Sequence, residues 1–246
     1  MASVASIWRF PIKSHGREEV TQAALAPGQG LPFDRTWAVA HDQSDADGST
    51  WVPCRNFPIV SKAAGLSAIT AELAEDGQTV TLRHPDLPEL TFRPDEEPEA
   101  LIAWAGPLIP QDRAPSARLV RGQTRGFTDS DFPSVTLCNL ASHRAVEGRI
   151  GTPLSIHRWR GNVWIDGLAL WEEFEWIDRD VRIGTAVLRV RERTDRCLST
   201  HNNPETGARD LDVLSALDSF GHRDFSVRAE VVEPGLIRTG DAVHVL

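Results

Sequence analysis

Asp76-Gly77-Gln78-Thr79-Val80-Thr81-Leu82-Arg83 combines a tight-turn signal with a short run of β-branched and apolar residues. Asp-Gly is favoured in two-residue hairpin loops because both residue types tolerate positive φ angles. Thr36-Trp37-Ala38-Val39-Ala40 is a similar run, and residues 1 to about 95 alternate such runs with turns rich in Gly, Pro and Asp. This pattern predicts that the first half of the chain is an all-β sheet or barrel.

The second half of the chain mixes predicted helices with strands. Asn139 is placed to cap a helix from Leu140 to about Glu147, with Gly148 as its end. Asp210 is placed to cap another helix, in which apolar residues recur at helical spacing. A short helix is expected at 99–104, and strands are expected at 134–137, 161–165, 181–191, 227–232 and near the end of 235–245. The chain is therefore predicted to be mainly β with a few helices, an α+β fold.

The segment 106–116 is the best candidate for a linker, because it carries three prolines between predicted elements. It divides the chain into a predicted first domain, residues 1–105, and a predicted second domain, residues 106–246.

Composition limits the classes of function that the chain can have. The 246 residues carry a formal net charge of -9, and general nucleic-acid binding needs a basic surface instead. The N-terminus lacks the basic flank and apolar run of a signal peptide, and no apolar run is long enough to span a membrane. The three cysteines form no CxxC pair. We therefore expect a cytoplasmic protein with neither nucleic acid nor membrane as a partner.

One of the three cysteines lies in unusual surroundings. Arg193-Thr194-Asp195-Arg196-Cys197-Leu198-Ser199-Thr200 follows a strand-like run and is charged and turn-prone. A structural cysteine normally behaves as a small buried hydrophobe in apolar company. Arg196 and Arg193 instead give Cys197 an electropositive setting that favours the thiolate. Cys197 is therefore predicted to be either a soft metal ligand or a nucleophile.

Three further polar clusters lie in predicted loops or at strand ends. They are Lys13-Ser14, Asp34-Arg35-Thr36-Trp37 and Arg158-Trp159-Arg160-Gly161-Asn162. Cationic side chains beside hydroxyl and amide groups are what a phosphate or another anion with several acceptors requires. Taken alone, each cluster is more often a surface ion pair than a ligand site.

In their order along nearly the whole chain, these segments resemble the MOSC family (molybdenum cofactor sulfurase C-terminal domain) with its N-terminal β-barrel companion. The resemblance rests on Phe10-Pro11-Ile12-Lys13-Ser14-His15-Gly16, Phe33-Asp34-Arg35-Thr36-Trp37, Arg158-Trp159-Arg160-Gly161-Asn162, the Arg196-Cys197 loop with Pro204-Glu205-Thr206-Gly207, and Gly240-Asp241-Ala242-Val243. It implies a β-barrel-like N-terminal domain packed on a MOSC β-barrel domain.

The resemblance also implies a molybdenum cofactor (Mo-molybdopterin) bound between the two halves. Cys197 would be the metal ligand and the catalytic residue. The cofactor contacts would be Lys13, Ser14, Arg35, Arg158, Arg160 and Asn162, together with Asn139 and Ser142 near a helix N-terminus, which favours anions.

The implied activity is that of a molybdenum-dependent oxidoreductase similar to the mitochondrial amidoxime-reducing component and its bacterial relatives. It would reduce small N-hydroxylated or N-oxide-type substrates, with electrons from a separate reductase or redox protein, because no iron–sulfur domain follows in this sequence. Two alternatives stay open, a sulfur carrier with a persulfide on Cys197 and a non-catalytic cofactor-binding protein. Pyridoxal phosphate binding is an association of the family only. Relatives often carry a cysteine where this chain has Thr194 and Asp195, and Asp-Pro where it has Asn203-Pro204, which leaves the substrate open.

Overall fold

The computed structural model describes all of residues 1–246. Three α-helices and fifteen strands are present: β1 Ser3–Arg9, β2 Glu18–Val20, β3 Gln22–Leu25, β4 Trp37–His41, β5 Thr70–Leu73, β6 Val80–His84, β7 Leu87–Phe92, α1 Pro98–Ala105, β8 Ser116–Arg121, β9 Val135–Asn139, α2 Leu140–Ile150, β10 Val163–Asp166, β11 Asp180–Ile183, β12 Ala186–Asp195, α3 Val213–Asp218, β13 Asp224–Glu233, β14 Gly235–Arg238 and β15 Val243–Val245. The predicted mainly β fold with a few helices is confirmed. None of the helices combines the length and the apolar character that crossing a membrane would require.

An eight-stranded sheet forms most of the second half, in the order β15-β11-β12-β13-β9-β10-β1-β2. Its neighbours are antiparallel except β9 and β10, which are parallel and are connected through α2. The largest core cluster packs on this sheet and includes Val4 and Ile7 of β1 beside Leu137 and Val190. The first strand of the chain therefore belongs to the sheet of the second half.

The first half forms a second core around a three-stranded sheet of β5, β6 and β7 and the pair β4–β8. The Asp76-Gly77 turn connects β5 to β6, whose Leu73 and Val80 are partners, so the predicted hairpin is confirmed. Strand β8 lies beyond the proline-rich segment 106–116 and pairs with β4 of the first half. Strands before and after position 105–106 pair in three sheets, as β1–β10, β3–β14 and β4–β8, so separation there would break all three.

Two predicted boundaries need correction, and glycine conformation explains both. Helix α2 starts at the predicted Asn139 cap but runs through Gly148 and ends at Gly151, whose φ of 79° is left-handed. The predicted strand 181–191 is a hairpin of β11 and β12, because the chain turns at Gly184, with a φ of 55°. Both glycines take the conformation that residues with a Cβ rarely adopt.

The cap of α3 is Asp212 and not the predicted Asp210. Its carboxylate accepts a hydrogen bond of 3.0 Å from the Ser215 amide, while Asp210 pairs with the buried Arg158 at 2.7 Å. We expect Asp212→Ala to lower the free energy of unfolding by about 1 kcal/mol, as losing a helix cap does. Asp210→Ala is expected to cost more, because it leaves a buried guanidinium without its counterion. Urea unfolding of both variants checks the order, and the reverse order would contradict this assignment.

Candidate functional site

A cavity of about 150 Å³ opens where the two halves of the chain meet. The loop after β1, the residues before β4 and the segment around 54–61 line it from the first half. The segment before β10, the end of β12 and strand β13 line it from the second half. Six residues predicted as site residues meet here: Lys13, Ser14, Arg35, Arg160, Asn162 and Cys197.

The cavity is strongly basic within an acidic protein. Five cationic side chains line it against two carboxylates, whereas the whole chain has a formal net charge of -9. The cations are Lys13, Arg35, Arg160, Arg196 and Arg228, and the carboxylates are Asp129 and Asp195. Like charges gathered in one partly enclosed space repel each other, so this arrangement favours an anionic occupant.

Lys13 and Arg35 are held by partners inside the protein. Lys13 is 4% exposed, and its Nζ donates to the Phe127 carbonyl at 2.8 Å and pairs with Asp129. Burial lowers the pKa of Lys13, and Asp129 opposes that shift. Arg35 pairs with Asp34 and donates to the Arg160 carbonyl at 3.1 Å. These bonds fix both cations at the cavity wall.

Arg160 carries the clearest evidence for an absent ligand. Its guanidinium lies 4.5 Å from the centre of the Phe10 ring, and its Nη2 is buried without any hydrogen-bond partner. Burial, with Arg35 and Arg17 adding repulsion, lowers the pKa of Arg160 to about 9. A buried unpaired donor is costly, and more so when it is charged. An anion in the cavity would satisfy this donor and offset the repulsion.

The backbone is strained at three of the cavity residues. Ser14, Arg35 and Arg160 have φ angles of 66°, 54° and 51°, in the left-handed region that residues other than glycine rarely adopt. Such strain persists where the surrounding structure enforces it, and it clusters at ligand sites. All three strained residues line the same cavity, which supports its assignment as a ligand site.

Asn162 reaches the cavity but also organises its wall. Its Oδ1 accepts from the Thr136 amide and its Nδ2 donates to the Trp8 carbonyl, each at 3.1 Å. One N–H of Nδ2 and further acceptor capacity of Oδ1 stay available for a ligand. The side chain thus joins β1, β9 and the segment before β10 beneath the cavity.

Cys197 is exposed and precedes a 3₁₀ turn, Leu198–His201, with its Sγ 3.3 Å from the Ser199 hydroxyl oxygen. Of its two arginine neighbours, Arg196 lines the cavity with it, and the predicted role of Arg193 needs correction. Arg196 donates to the Trp159 and Phe225 carbonyls, at 2.8 Å and 2.7 Å, so it braces the loop. Arg193 is not among the cavity residues and stacks 4.3 Å from the Phe174 ring centre.

Three predicted contacts lie outside the cavity lining, where they bind other groups of the protein, and only the Nε of Arg158 is buried without a partner. Asn139 and Ser142 donate to the buried carboxylate of Glu173, at 2.7 Å and 3.1 Å. Arg158 pairs with Asp210 and donates to the Thr200 carbonyl at 3.3 Å. The first two side chains organise the base of α2 and the third supports the turn after Cys197, so direct cofactor contact does not fit their placement.

Several residues of the cavity were not predicted from the sequence as site residues. Cys54, Asp129, Thr194 and Arg228 all line it, and the Thr194 hydroxyl is buried without a hydrogen-bond partner. Thr194 stands in the quoted cysteine segment, three residues before Cys197, and that proximity is the signal that could have indicated it. The other three lie in segments without a local motif.

His15, which follows the cavity residue Ser14, is expected to make the stability of the protein depend on pH. It is fully buried, and burial lowers its pKa to about 4. In the unfolded chain His15 is protonated below about pH 6.5, whereas in the folded protein it stays neutral down to about pH 4. We therefore expect this histidine to make the free energy of unfolding fall by about 1.4 kcal/mol per pH unit as the pH drops through that window. His15→Gln should reduce the slope in urea unfolding at pH 7, 5.5 and 4.5 by this amount and leave the share of His157, whose pKa burial also lowers to about 4. Equal slopes in wild type and variant would contradict the prediction.

Two family models together match most of the chain. The one described as MOSC domain matches residues 125–244, and the one described as MOSC N-terminal beta barrel domain matches residues 1–104. The chain is 24% identical over 234 residues to Molybdenum cofactor sulfurase 2 of Aedes aegypti, covering 87% of this chain and 28% of that protein. It thus spans less than a third of this relative's length.

Similarity to solved structures is distant. The YUAD protein from Bacillus subtilis aligns over 100% of this chain and 96% of its own, with a TM-score of 0.47 and 12% identity. YiiM from Geobacillus stearothermophilus aligns over 46% of this chain and 53% of its own, with a TM-score of 0.35 and 18% identity.

Proposed function

Because this chain belongs to the MOSC domain family, we propose that its cavity binds a molybdenum cofactor and that the loaded protein is an oxidoreductase. Its substrates would be small N-hydroxylated or N-oxide-type molecules. The single observation that carries the proposal is the buried, unpartnered Nη2 of Arg160 in a cavity that also holds an exposed thiol, Cys197. The name of the mosquito relative supports the choice of cofactor.

The residues present fit an anionic group that carries a thiophilic metal. Arg160 offers an unused donor, Arg35 and Lys13 add positive charge, and the Ser14 hydroxyl lies on the same wall. These groups would hold the phosphate and the polar pterin edge. Cys197 on the opposite half would supply a soft thiolate to the metal. When bound, the cofactor supplies two-electron redox chemistry for removing oxygen from the substrate.

The chain's own residues would act by binding and orientation. Asp129 stays ionised, since its pairing with Lys13 outweighs burial and lowers the pKa of Asp129 to about 2. It therefore holds Lys13 in place and is not a proton donor at neutral pH. Arg228, paired with Glu192 at 2.6 Å, presents charge at the cavity beside Asp195. The half-buried Arg228 and the exposed Asp195 would meet a polar substrate.

Electrons would come from a separate reductase or a small redox protein. The three free cysteines suit a reducing cytoplasm, where we place the protein.

The test is turnover of an amidoxime by purified protein from a host that makes the cofactor, with a reduced viologen dye as electron donor. We expect turnover in proportion to the bound molybdenum and none from protein made in a cofactor-deficient host. Stoichiometric molybdenum without turnover of amidoximes, hydroxylamines or N-oxides would contradict the oxidoreductase and support a non-catalytic binding protein.

A second candidate function is sulfur transfer, favoured by the exposure of Cys197 and by the relative's name. A donor persulfide would pass its outer sulfur to the Cys197 thiol, leaving a donor thiol and a Cys197 persulfide. Protein free of molybdenum whose Cys197 peptide carries one extra sulfur atom would support this function over the first.

A further inference from the structure

Two of the three cysteines of this chain face the same cavity from opposite halves. Cys197 is exposed, Cys54 is half-buried, and both line the cavity, while the third cysteine, Cys138, is fully buried outside it. The proposed function uses Cys197 alone and gives Cys54 no role.

The loops that carry the two thiols are tied to each other. Asn202, five residues after Cys197, donates from Nδ2 to the carbonyl of Val60 at 2.6 Å, and Val60 lies six residues after Cys54. Arg209 donates to the Ser61 carbonyl at 3.0 Å. These bonds join the loop that follows Cys197 to the one that follows Cys54.

The turn that begins at Cys54 packs over the cationic wall of the cavity. The Phe57 amide donates to the Cys54 carbonyl at 3.1 Å and closes the turn Cys54–Asn56. The Phe57 ring centre lies 5.8 Å from the Lys13 Nζ. Burial, with Asp129 adding to its effect, raises the pKa of Cys54, so that this sulfur is a thiol at neutral pH.

We propose that Cys54 and Cys197 form a reversible disulfide across the cavity when the cofactor-free protein meets a peroxide. The Cys197 thiolate attacks hydrogen peroxide, which yields a sulfenic acid on Cys197 and hydroxide. The Cys54 sulfur then attacks the Cys197 sulfur, its S–H proton leaves with the displaced hydroxyl, and one water is released. Overall two thiols are oxidised to one disulfide and one peroxide is reduced to two waters.

The roles of the two thiols follow from their exposure. Cys197 meets solvent and reacts first, and Cys54 lies inside the cavity wall, where it can resolve the sulfenic acid before further oxidation. If the proposed function holds, the disulfide also removes the thiolate from metal binding, so that oxidised protein cannot be loaded until it is reduced. The disulfide itself does not depend on that function.

The test uses full-length protein made in a cofactor-deficient host and exposed to hydrogen peroxide. We expect the intact mass to fall by two hydrogen atoms, and a non-reducing digest to contain one peptide pair that links Cys54 to Cys197 and separates on reduction. Cys138→Ala, the matched control, is expected to form the same link. Cys54→Ser is expected to form none and to accumulate sulfenic acid on Cys197, which dimedone traps.

Equal dimedone labelling of Cys197 in wild type and Cys54→Ser, with no linked peptide in wild type, would overturn the proposal. A link formed only between two chains, seen as a dimer on a non-reducing gel, would also overturn it. Should the Cys54 variant not fold, the digest of wild type alone decides. Molybdenum content and turnover do not enter this test, so it can fail while the proposed function stands.

Discussion

Arg160→Met is expected to lower the retention of cofactor by the purified protein about 30-fold or more, without lowering the stability of the cofactor-free protein. Truncating one partner of a buried, hydrogen-bonded charge pair costs about 2 kcal/mol or more, and 1.4 kcal/mol corresponds to a tenfold change. The cofactor-free protein loses no internal hydrogen bond from Nη2, which has no partner, and is relieved of repulsion with Arg35.

Pterin fluorescence after denaturation measures retention, and thermal unfolding of cofactor-free protein measures stability. Arg144→Met is the matched control, because it removes the same charge from an exposed pair with Asp166. The control is expected to retain the pterin fully. A strongly destabilised Arg160→Met protein with normal pterin content would show that Arg160 is structural.

Gly161→Ala is expected to cause a large loss of stability beside the site. An added Cβ would lie 2.1 Å from the Sγ of the fully buried Cys138, in the segment that carries Arg160 and Asn162 before β10. Overpacking of this kind costs typically 1–3 kcal/mol and occasionally more, through displaced backbone. The displacement would also move Arg160 and Asn162, so we expect weaker pterin retention in the same variant.

The cause can be isolated with two further variants in urea unfolding. Cys138→Ala removes the clashing sulfur, so Gly161→Ala with Cys138→Ala is expected to be more stable than the sum of the single changes. Gly148→Ala is the matched control, because a Cβ there meets nothing within 4 Å inside α2. It is expected to raise stability by about 0.5–1 kcal/mol. A simple sum of the single effects would contradict the proposed clash.

Local patterns predicted the elements of this fold better than their assembly. The Asp76-Gly77 hairpin and the Asn139 cap depend on neighbouring residues only, and both are confirmed. The place of β1 beside β10 depends on contacts more than 150 residues apart, since Ile7 pairs with Val163. No periodicity within a short window reports such a pairing, so the exchange of strands between the halves was not foreseen.

The residues of the candidate site also divide into those that local sequence predicts and those that depend on long-range packing. Lys13, Arg35 and Arg160 stand in charged motifs beside turns, which the sequence shows directly, and the fold brings them to one cavity. Cys54 and Arg228 reach that cavity only because of tertiary packing. Conversely, Arg193 lies only four residues before Cys197 in sequence, yet its guanidinium stacks on Phe174 and does not line the cavity.

Metal analysis of purified protein tests most directly the proposal that Cys197 holds a molybdenum cofactor in this cavity. Wild type, Cys197→Ser and the control Cys138→Ala are produced in a cofactor-competent host, and molybdenum is measured per protein chain. We expect one molybdenum per chain in wild type and in the control, and at least a tenfold loss in Cys197→Ser, since a hydroxyl is a poor substitute for a soft thiolate. Wild type without molybdenum, or equal molybdenum in all three proteins, would contradict the claim.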